Sequence, residues 1–369
     1  MPNQVLTLYN SGTAYDTTSP DLIALLARTT SGVRGVDWDI NPGPGSAQQA
    51  RRDLLPRAVD VLGGGSSVLF NAATGMSPGQ ALGQAFGAGI SESIAISLDL
   101  ITRTTPAKVN FCGWSRGAIT CLMTASALSR SHPSLPVNLF LFDPVIGDPA
   151  ANAALWRGES TDVIGANVRE IAVVQMLNED RFIMQAHLPA SLAPGARRGL
   201  SLHPLPGQHA SAVEPSNGPY AKVFNIGNGL AKAFLNRHGT RFTSYSPYSD
   251  AKFLELYSTL WRALRSTPSV PLGNNRYELR EQQRQQVPSD RSFSMPNLFF
   301  NEHHVQVMQA QGLFPTFTRL IAYALIRGGT AHPDLIAAGR AELERQGALA
   351  GIPETLAVLG WYLSRIRPE

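Results

Sequence analysis

The chain has 369 residues, of which 43% are hydrophobic and 16% are charged, with a formal net charge of +4. This composition supports a large core and excludes a disordered chain. No Lys/Arg-rich block occurs, so the sequence predicts no nucleic-acid partner.

No apolar run reaches the roughly 18 residues that a membrane-spanning helix needs. The first residues, MPNQVLTLYN, lack the pattern of a signal peptide. We therefore expect a cytoplasmic chain in the producing cell.

Apolar runs rich in β-branched residues predict strands in the first two thirds of the chain. Five are clear, at residues 5–9, 109–112, 137–142, 171–176 and 200–205, whereas 35–38 and 68–70 stay open. Helical patterns at 90–101 and 118–128 lie between them. Several of these strands are continuous apolar runs, which suits a mostly parallel sheet with helices on both faces. Alternation of strands and helices predicts an α/β fold.

The pattern changes at about residue 240. Residues 251–264, 302–312 and 314–327 have helical patterns, and no strand is predicted after this point. The sequence therefore predicts a core over residues 1–240 and a mainly helical C-terminal cap or appendage over residues 241–369.

Two cysteines, Cys112 and Cys121, are too few for a disulfide framework or a four-ligand zinc site. Cys112 lies in an apolar strand pattern, so the sequence predicts buried free thiols in a reducing compartment. The histidines and carboxylates show no metal-ligand spacing. We expect no metal in the catalytic step and no cofactor.

A Gly-x-Ser-x-Gly motif, Gly113-Trp114-Ser115-Arg116-Gly117, follows a predicted strand and opens a predicted helix. In this context the serine is the nucleophile of a strained turn, and a glycine two positions away on each side leaves no Cβ in its way. The dipole of the following helix and the N–H of Arg116 favour an oxyanion there. The alternative interpretation is a glycine-rich turn with an unreactive serine.

A nucleophilic serine needs a base and an orienting acid, in the chain order Ser, Asp/Glu, His for this kind of site. Asp143 and Asp180 each follow a predicted strand, and either is chemically adequate. Either could also be a cap or turn residue. His209 lies in a Pro-Gly loop after the last core strand and is the candidate base. His304, in a tandem pair at a predicted helix start, is the competitor.

Several segments together resemble the α/β-hydrolase domains of bacterial type VI secretion lipase and phospholipase effectors, in the same order, over about residues 5–215. Trp114 stands where that family usually has Phe. The matching segments are Leu8-Tyr9-Asn10-Ser11-Gly12-Thr13, Asn41-Pro42-Gly43-Pro44-Gly45, Gly83 with Phe86, Gly87, Gly89 and Ile90, Gly113-Trp114-Ser115-Arg116-Gly117-Ala118, Phe142-Asp143-Pro144-Val145, Asn178-Glu179-Asp180-Arg181-Phe182 and Pro206-Gly207-Gln208-His209.

The resemblance implies an α/β-hydrolase fold with a Ser115–Asp143–His209 triad, and it favours Asp143 over Asp180. The N–H groups of Arg116 and of a residue near Thr13 would form the oxyanion hole. It also implies a lipid or other ester substrate and contact with a membrane surface. The implied biology is a toxic antibacterial or anti-host effector that enters a target cell without a signal peptide. A secretion-apparatus component and an immunity protein would be its partners.

Two other interpretations fit the same residues. The chain would then be a non-toxic cytoplasmic esterase or thioesterase, or a catalytically silent binding module on the same scaffold, because a fold alone does not determine function.

Overall fold

The structure, a computed structural model, describes residues 5–46, 48, 89–146, 161, 163–176, 187, 191–192, 200–205, 208–215, 221–248, 256, 294–295 and 298–299. In these ranges, no helix is long and apolar enough to cross a membrane. The chain divides into two compact units. The first comprises Met1–Val173, Ile183–Leu200 and Phe234–Tyr245; the second comprises Val174–Phe182, Ser201–Ala233 and Ser246–Glu369. The predicted domain boundary at residue 240 stays a prediction.

The strands, in chain order, are β1 Leu6–Asn10, β2 Trp38–Asn41, β3 Val109–Trp114, β4 Val137–Phe142, β5 Val163–Ile164, β6 Val168–Met176, β7 Ser191–Leu192, β8 Leu200–Leu205, β9 Ser294–Met295 and β10 Leu298–Phe299. The central sheet has the order β2-β1-β3-β4-β6-β8. Within it β1 pairs in parallel with β2 and β3, and β3 pairs in parallel with β4. Separately, β5 pairs in parallel with β7, and β9 pairs antiparallel with β10.

The strand order places a topological switch point between β1 and β3. The chain passes from β1 to β2 on one side and then returns to β3 on the other side of β1. In open α/β sheets the loops that leave the carboxyl ends of the two strands at such a point run in opposite directions. Open α/β sheets bind their ligands at this position.

Four helices are described: α1 Leu22–Thr29, α2 Ile90–Thr104, α3 Arg116–Ser131 and α4 Ala221–Arg237. Helix α3 packs against β1, β3, β4 and α2 within the first unit. Every residue of α3 from Arg116 to Leu128 is buried, and β1, β3 and β4 are buried throughout. A helix buried on all sides lacks a polar face, which explains the long run of small and apolar residues after the serine.

Most of the elements predicted from sequence are confirmed, and their boundaries move by up to three residues. All five clear strands are present, and the two predicted helices extend to Ile90–Thr104 and Arg116–Ser131. The sequence left a strand at 35–38 undecided, and the structure places β2 later, at Trp38–Asn41. Gly32 and Gly35 adopt φ values of 103° and 77° in the turn that precedes it. The open strand at 68–70 lies outside the described residues.

The prediction of no strands after residue 240 is wrong, because β9 and β10 pair in that region. Pro296-Asn297 between them is a turn-forming sequence, which is the local signal for such a pair. The predicted helices at 251–264, 302–312 and 314–327 fall almost entirely outside the described residues. The helical cap or appendage therefore stays a prediction.

A buried amide near the amino ends of the strands ties the sheet to the chain that follows α4. Nδ2 of Asn110 on β3 donates to Thr240 Oγ1 at 3.0 Å and to the His238 carbonyl oxygen at 3.2 Å. Oδ1 of Asn110 accepts from Asn138 Nδ2 at 2.9 Å. Removing this amide takes the acceptor from the buried Asn138 Nδ2 and one donor each from Thr240 Oγ1 and the His238 carbonyl oxygen.

We expect Asn110→Ala to lower the free energy of unfolding by about 2–4 kcal/mol, because an orphaned buried amide costs about 1–3 kcal/mol and each of the two other lost hydrogen bonds about 0.5–1.5 kcal/mol. Urea unfolding followed by circular dichroism measures this. The control is Asn236→Ala, because the exposed Asn236 amide makes one 3.3 Å bond to the Thr240 carbonyl. Equal losses in the two variants would show that the Asn110 bonds contribute little.

Candidate active site

Ser115 lies at the junction between β3 and α3 with a strained backbone. Its φ is 57° and its ψ is −127°, which a residue with a Cβ rarely adopts. The residue is 5% exposed, and although it occupies the N-cap position, its side chain makes no capping hydrogen bond. Serine normally favours that position by capping. The geometry is that of the strand–turn–helix in which a nucleophilic serine is held.

The two motif glycines lie where no Cβ fits. A Cβ on Gly113 would come within 2.6 Å of the Gly117 carbonyl oxygen and 2.7 Å of Cys121 Sγ. A Cβ on Gly117 would overlap the carbonyl oxygens of Asn10 and Ser11. Gly113 thus lets α3 turn back over β3, and Gly117 lets α3 approach the end of β1.

The end of β4 places Asp143 level with Ser115. Trp114 is paired with Phe142 in the parallel register, and the Ser115 N–H donates to the Phe142 carbonyl at 3.0 Å. Asp143 is the next residue, is 1% exposed and has a φ of 39°. A carboxyl group therefore occupies the strand end beside that of the serine, where the sequence predicted the orienting acid.

Backbone strain concentrates at this edge of the sheet. Among the described non-glycine residues, positive φ occurs at Ala14, Thr105, Ser115 and Asp143. Thr105 ends α2, whereas the other three follow β1, β3 and β4. Each such conformation costs about 1–3 kcal/mol and persists only where the surroundings enforce it, as at functional sites.

The loop after β1 is held against the loop after β2. The Ala14 N–H donates to the Pro44 carbonyl at 2.9 Å, and the Gly43 N–H donates to the Tyr15 carbonyl at 2.8 Å. A Cβ on Gly43 would overlap the Gly12 carbonyl oxygen. No described residue accepts a hydrogen bond from the Thr13 N–H. The loop thus presents a backbone donor of the kind that an oxyanion hole uses.

Trp114 joins the serine turn to that loop. A Cβ on Gly12 would meet the indole ring at 2.7 Å from Cζ3 and 2.9 Å from Cδ2, so the ring lies directly on the glycine. The Tyr15 ring packs edge-on against Trp114, with centroids 4.8 Å apart and planes at 74°. The indole therefore sets the distance between the loop carrying Thr13 and the turn carrying Ser115.

For the ester hydrolysis that the sequence resemblance implies, we expect Trp114→Phe to lower kcat about 10-fold with a small change in KM, because a sub-ångström shift of the loop would misplace one oxyanion donor. The comparison variant is Phe140→Leu, a buried truncation within β4. It should lose similar stability and keep kcat. A change confined to KM in Trp114→Phe would mean that the indole acts on substrate binding instead.

The electrostatics of the turn favour negative charge. Arg116 is the first residue of α3 and is buried, and burial lowers the pKa of its guanidinium, which nevertheless stays charged. The N-terminus of α3 adds a positive partial charge. Burial raises the pKa of Cys112 and Cys121, so these free thiols stay neutral nearby, as predicted. An oxyanion formed at Ser115 would lie at the positive end of the α3 dipole, with neutral thiols in the same core.

Three further predicted residues, His209, Asp180 and His304, are not among the described residues of the first unit. His209 belongs to the second unit, is buried, and lies in a turn where the Gln208 N–H donates to Ser211 Oγ at 3.0 Å. Asp180 and His304 lie outside the described residues. The first unit therefore brings together Ser115, Arg116, Asp143 and Thr13, and the base stays a prediction.

The sequence assigned no role to His187, which lies close to the predicted acid. The backbone N–H of His187 donates to the carbonyl oxygen of Pro144 at 2.7 Å, and Pro144 directly follows Asp143. Its Nε2 lies 3.3 Å from the Thr161 carbonyl oxygen. No local signal marks this histidine, because the contact joins residues about 40 positions apart. Where the structure describes the chain, no cluster of three or more histidines, cysteines or carboxylates could hold a metal ion.

Comparison with known proteins yields distant structural likenesses. No family model matches the chain, and no curated protein matches it. Two solved structures of the Vlm2 thioesterase domain, carrying genetically encoded 2,3-diaminopropionic acid and bound with a dodecadepsipeptide, are similar at 12% and 13% identity. The alignments cover 65% of this chain and 96% and 95% of that domain, with TM-scores of 0.30. A likeness this weak assigns no activity.

The fold class rests on the chain's own geometry. The strand order, the parallel pairs β1–β3 and β3–β4, and the strained serine turn after β3 define an α/β-hydrolase-like fold. The predicted fold class is confirmed for the core. The resemblance to type VI secretion effectors still rests on sequence segments alone.

Proposed function

We propose that the chain is a serine hydrolase that cleaves carboxylic ester bonds, with Ser115 as its nucleophile. The observation that carries the proposal is the backbone of Ser115, with φ 57° and ψ −127° at the end of a central parallel strand. At φ 57° and ψ −127°, outside the left-handed helical region, glycine is the residue that avoids the strain. A serine that must project from the sheet edge explains why the strain is kept.

In the proposed reaction Ser115 Oγ attacks the ester carbonyl carbon while His209 accepts the hydroxyl proton. The tetrahedral oxyanion accepts hydrogen bonds from the N–H groups of Arg116 and Thr13. The bond from the former carbonyl carbon to the alcohol oxygen of the ester then breaks, and the alcohol leaves with the proton from His209. Water then attacks the acyl carbon while His209 accepts its proton, the bond from the acyl carbon to Ser115 Oγ breaks, the carboxylic acid leaves, and His209 returns the proton to Ser115 Oγ. Asp143 orients the imidazole and stabilises its charged form.

The test is covalent labelling of the full chain with a fluorophosphonate probe. Wild type should label, Ser115→Ala should not, and His209→Ala should label at least about 100-fold more slowly, the scale of general-base catalysis. His187→Ala is the comparison and should label like wild type. Labelling of Ser115→Ala at the wild-type rate would reject Ser115 as nucleophile. Loss of labelling in His187→Ala alone would make His187 the base.

The finer proposal is a lipase or phospholipase that acts as a toxic effector on another cell, and the segment resemblance supports it. Its partners would be a membrane surface, a secretion-apparatus component and an immunity protein. Purified protein should release fatty acid from phospholipid vesicles, and periplasmic expression should be toxic for wild type and harmless for Ser115→Ala.

The alternatives give different results in the same assays. Hydrolysis of soluble esters or thioesters, with intact vesicles and no toxicity, would identify a non-toxic cytoplasmic esterase or thioesterase. A folded chain that neither labels nor hydrolyses any ester would be a silent binding module.

A further inference from the structure

A cavity of about 520 Å³ opens in the first unit at the amino-terminal edge of the sheet. Its walls include the starts of β1 and β3, the turn before β2 and the segment after α4, where Thr7, Lys108, Asp37 and Thr240 lie. Because β1, β2 and β3 are parallel, this edge is opposite the edge that carries Ser115. The volume is within the range of about 300–1,000 Å³ typical of small-molecule sites. The proposed hydrolysis uses none of the residues that line it.

Two buried hydroxyl groups in the cavity wall together offer one donor proton that no described residue accepts. Thr7 Oγ1 and Thr240 Oγ1 lie 2.7 Å apart, and these residues are only 1% and 3% exposed. Asn110 Nδ2 donates to Thr240 Oγ1, so the Asn110 amide accepts neither threonine proton. One threonine hydroxyl donates to the other, and no described residue accepts the remaining proton. A ligand atom in the cavity that accepts a hydrogen bond would satisfy it.

Two cations line the same cavity. Lys108 Nζ lies 3.9 Å from the position that a Cβ on Gly239 would occupy, which places the ammonium over the turn that leads to Arg241. The Arg241 carbonyl accepts from the Ser31 N–H at 2.7 Å, which fixes its backbone at the cavity wall. Neither cation forms an ion pair with a described residue. The two positive charges are therefore available to a ligand.

Asp37 adds an acceptor to the lining. Its Oδ2 accepts from the Val33 N–H at 2.7 Å, and its other oxygen accepts from no described residue. An ionised carboxylate only accepts hydrogen bonds, so a ligand beside it must offer a donor. The lining thus combines two cations, one hydroxyl donor and one carboxylate acceptor.

We propose that this cavity is a second binding site, for a small phosphorylated polyol. The phosphate lies between Lys108 and Arg241, because a dianion matches two cations and the guanidinium fork fits its oxygens. The hydroxyl groups of the ligand accept from the Thr7–Thr240 pair and donate to Asp37, since a hydroxyl is both donor and acceptor. The site is independent of the Ser115 chemistry.

Calorimetric titration of the full chain with glycerol 3-phosphate tests the proposal. We expect a dissociation constant on the order of 1 mM or tighter, with inorganic phosphate and glycerol each binding more weakly. Lys108→Gln and Arg241→Gln should each weaken binding about 10-fold, as should Thr7→Val, which keeps the side-chain shape and removes a hydroxyl. Arg103→Gln, at an exposed ion pair on α2, is the matched control and should bind like wild type.

Two further measurements separate binding in this cavity from binding at the active site and from loss of folding. Ser115→Ala should bind glycerol 3-phosphate with wild-type affinity, whether or not the proposed hydrolysis is correct. The exposed position of Arg241 makes its variant safe for folding, and thermal unfolding of each variant checks that it is folded. Absence of binding, tighter binding of glycerol than of glycerol 3-phosphate, or an equal loss in Arg103→Gln would overturn the proposal.

Discussion

Ser115→Ala should lower the rate of ester hydrolysis about 10⁴-fold or more and leave the free energy of unfolding nearly unchanged. The substitution removes only Oγ, which makes no capping hydrogen bond to α3. Alanine and serine both carry a Cβ, so both bear the strain of a φ of 57°. Steady-state hydrolysis of a p-nitrophenyl ester and urea unfolding measure the two quantities.

Ser115→Gly is the matched variant, because it removes the hydroxyl and the strain together. It should be as inactive as Ser115→Ala, and its free energy of unfolding should exceed that of Ser115→Ala by about 1 kcal/mol. This difference isolates the energy stored in the turn. A stability loss of about 2 kcal/mol in Ser115→Ala, with turnover retained, would mean that the hydroxyl is structural and that the motif is only a turn.

The parts of the fold that the sequence predicts are those with strong local signals. Strands β3 and β4 are mainly apolar, with one asparagine in each, and a run of this kind is buried in a parallel sheet wherever it pairs. Strand β2, Trp38–Asn41, has mixed polarity, and its position depends on its parallel register with β1, with Thr7 opposite Trp38. The sequence patterns did not predict helix α1. Asp21 caps this helix, because Oδ1 of Asp21 accepts a hydrogen bond from the Ile23 N–H at 2.8 Å.

The candidate site likewise has residues that a local sequence pattern predicts and contacts that it does not. Ser115 and Asp143 were predictable because each directly follows its strand, and the register brings the two strand ends level. The packing of Trp114 on Gly12 joins residues about 100 positions apart, so no sequence window contains it. Ala14 has a φ of 68°, and alanine carries no preference for that conformation that would reveal it. Choice of the base depends on distances between loops, which the spacing of histidines does not encode.

Gly117→Ala should lower both stability and kcat, although Gly117 has no side chain and lies in the first turn of α3. The added Cβ would overlap the carbonyl oxygens of Asn10 and Ser11, which are backbone atoms at the end of β1. Alanine is favoured over glycine within a helix by about 1 kcal/mol, but the overlap forces α3 away from the sheet, and overpacking of this kind costs about 1–3 kcal/mol. We expect a net loss of up to about 2 kcal/mol in the free energy of unfolding.

The larger effect of Gly117→Ala is expected on catalysis. The start of α3 carries Ser115 and the Arg116 N–H, so a shift of about 1 Å misplaces nucleophile and oxyanion donor together and should lower kcat about 100-fold. Gly35→Ala is the control, because a Cβ there meets nothing within 4 Å and adds only the strain of a φ of 77°. It should lose about 1–2 kcal/mol of stability with kcat unchanged. Equal kcat values in these two variants would show that α3 accommodates the Cβ without moving the serine, and that close approach to β1 is not what positions it.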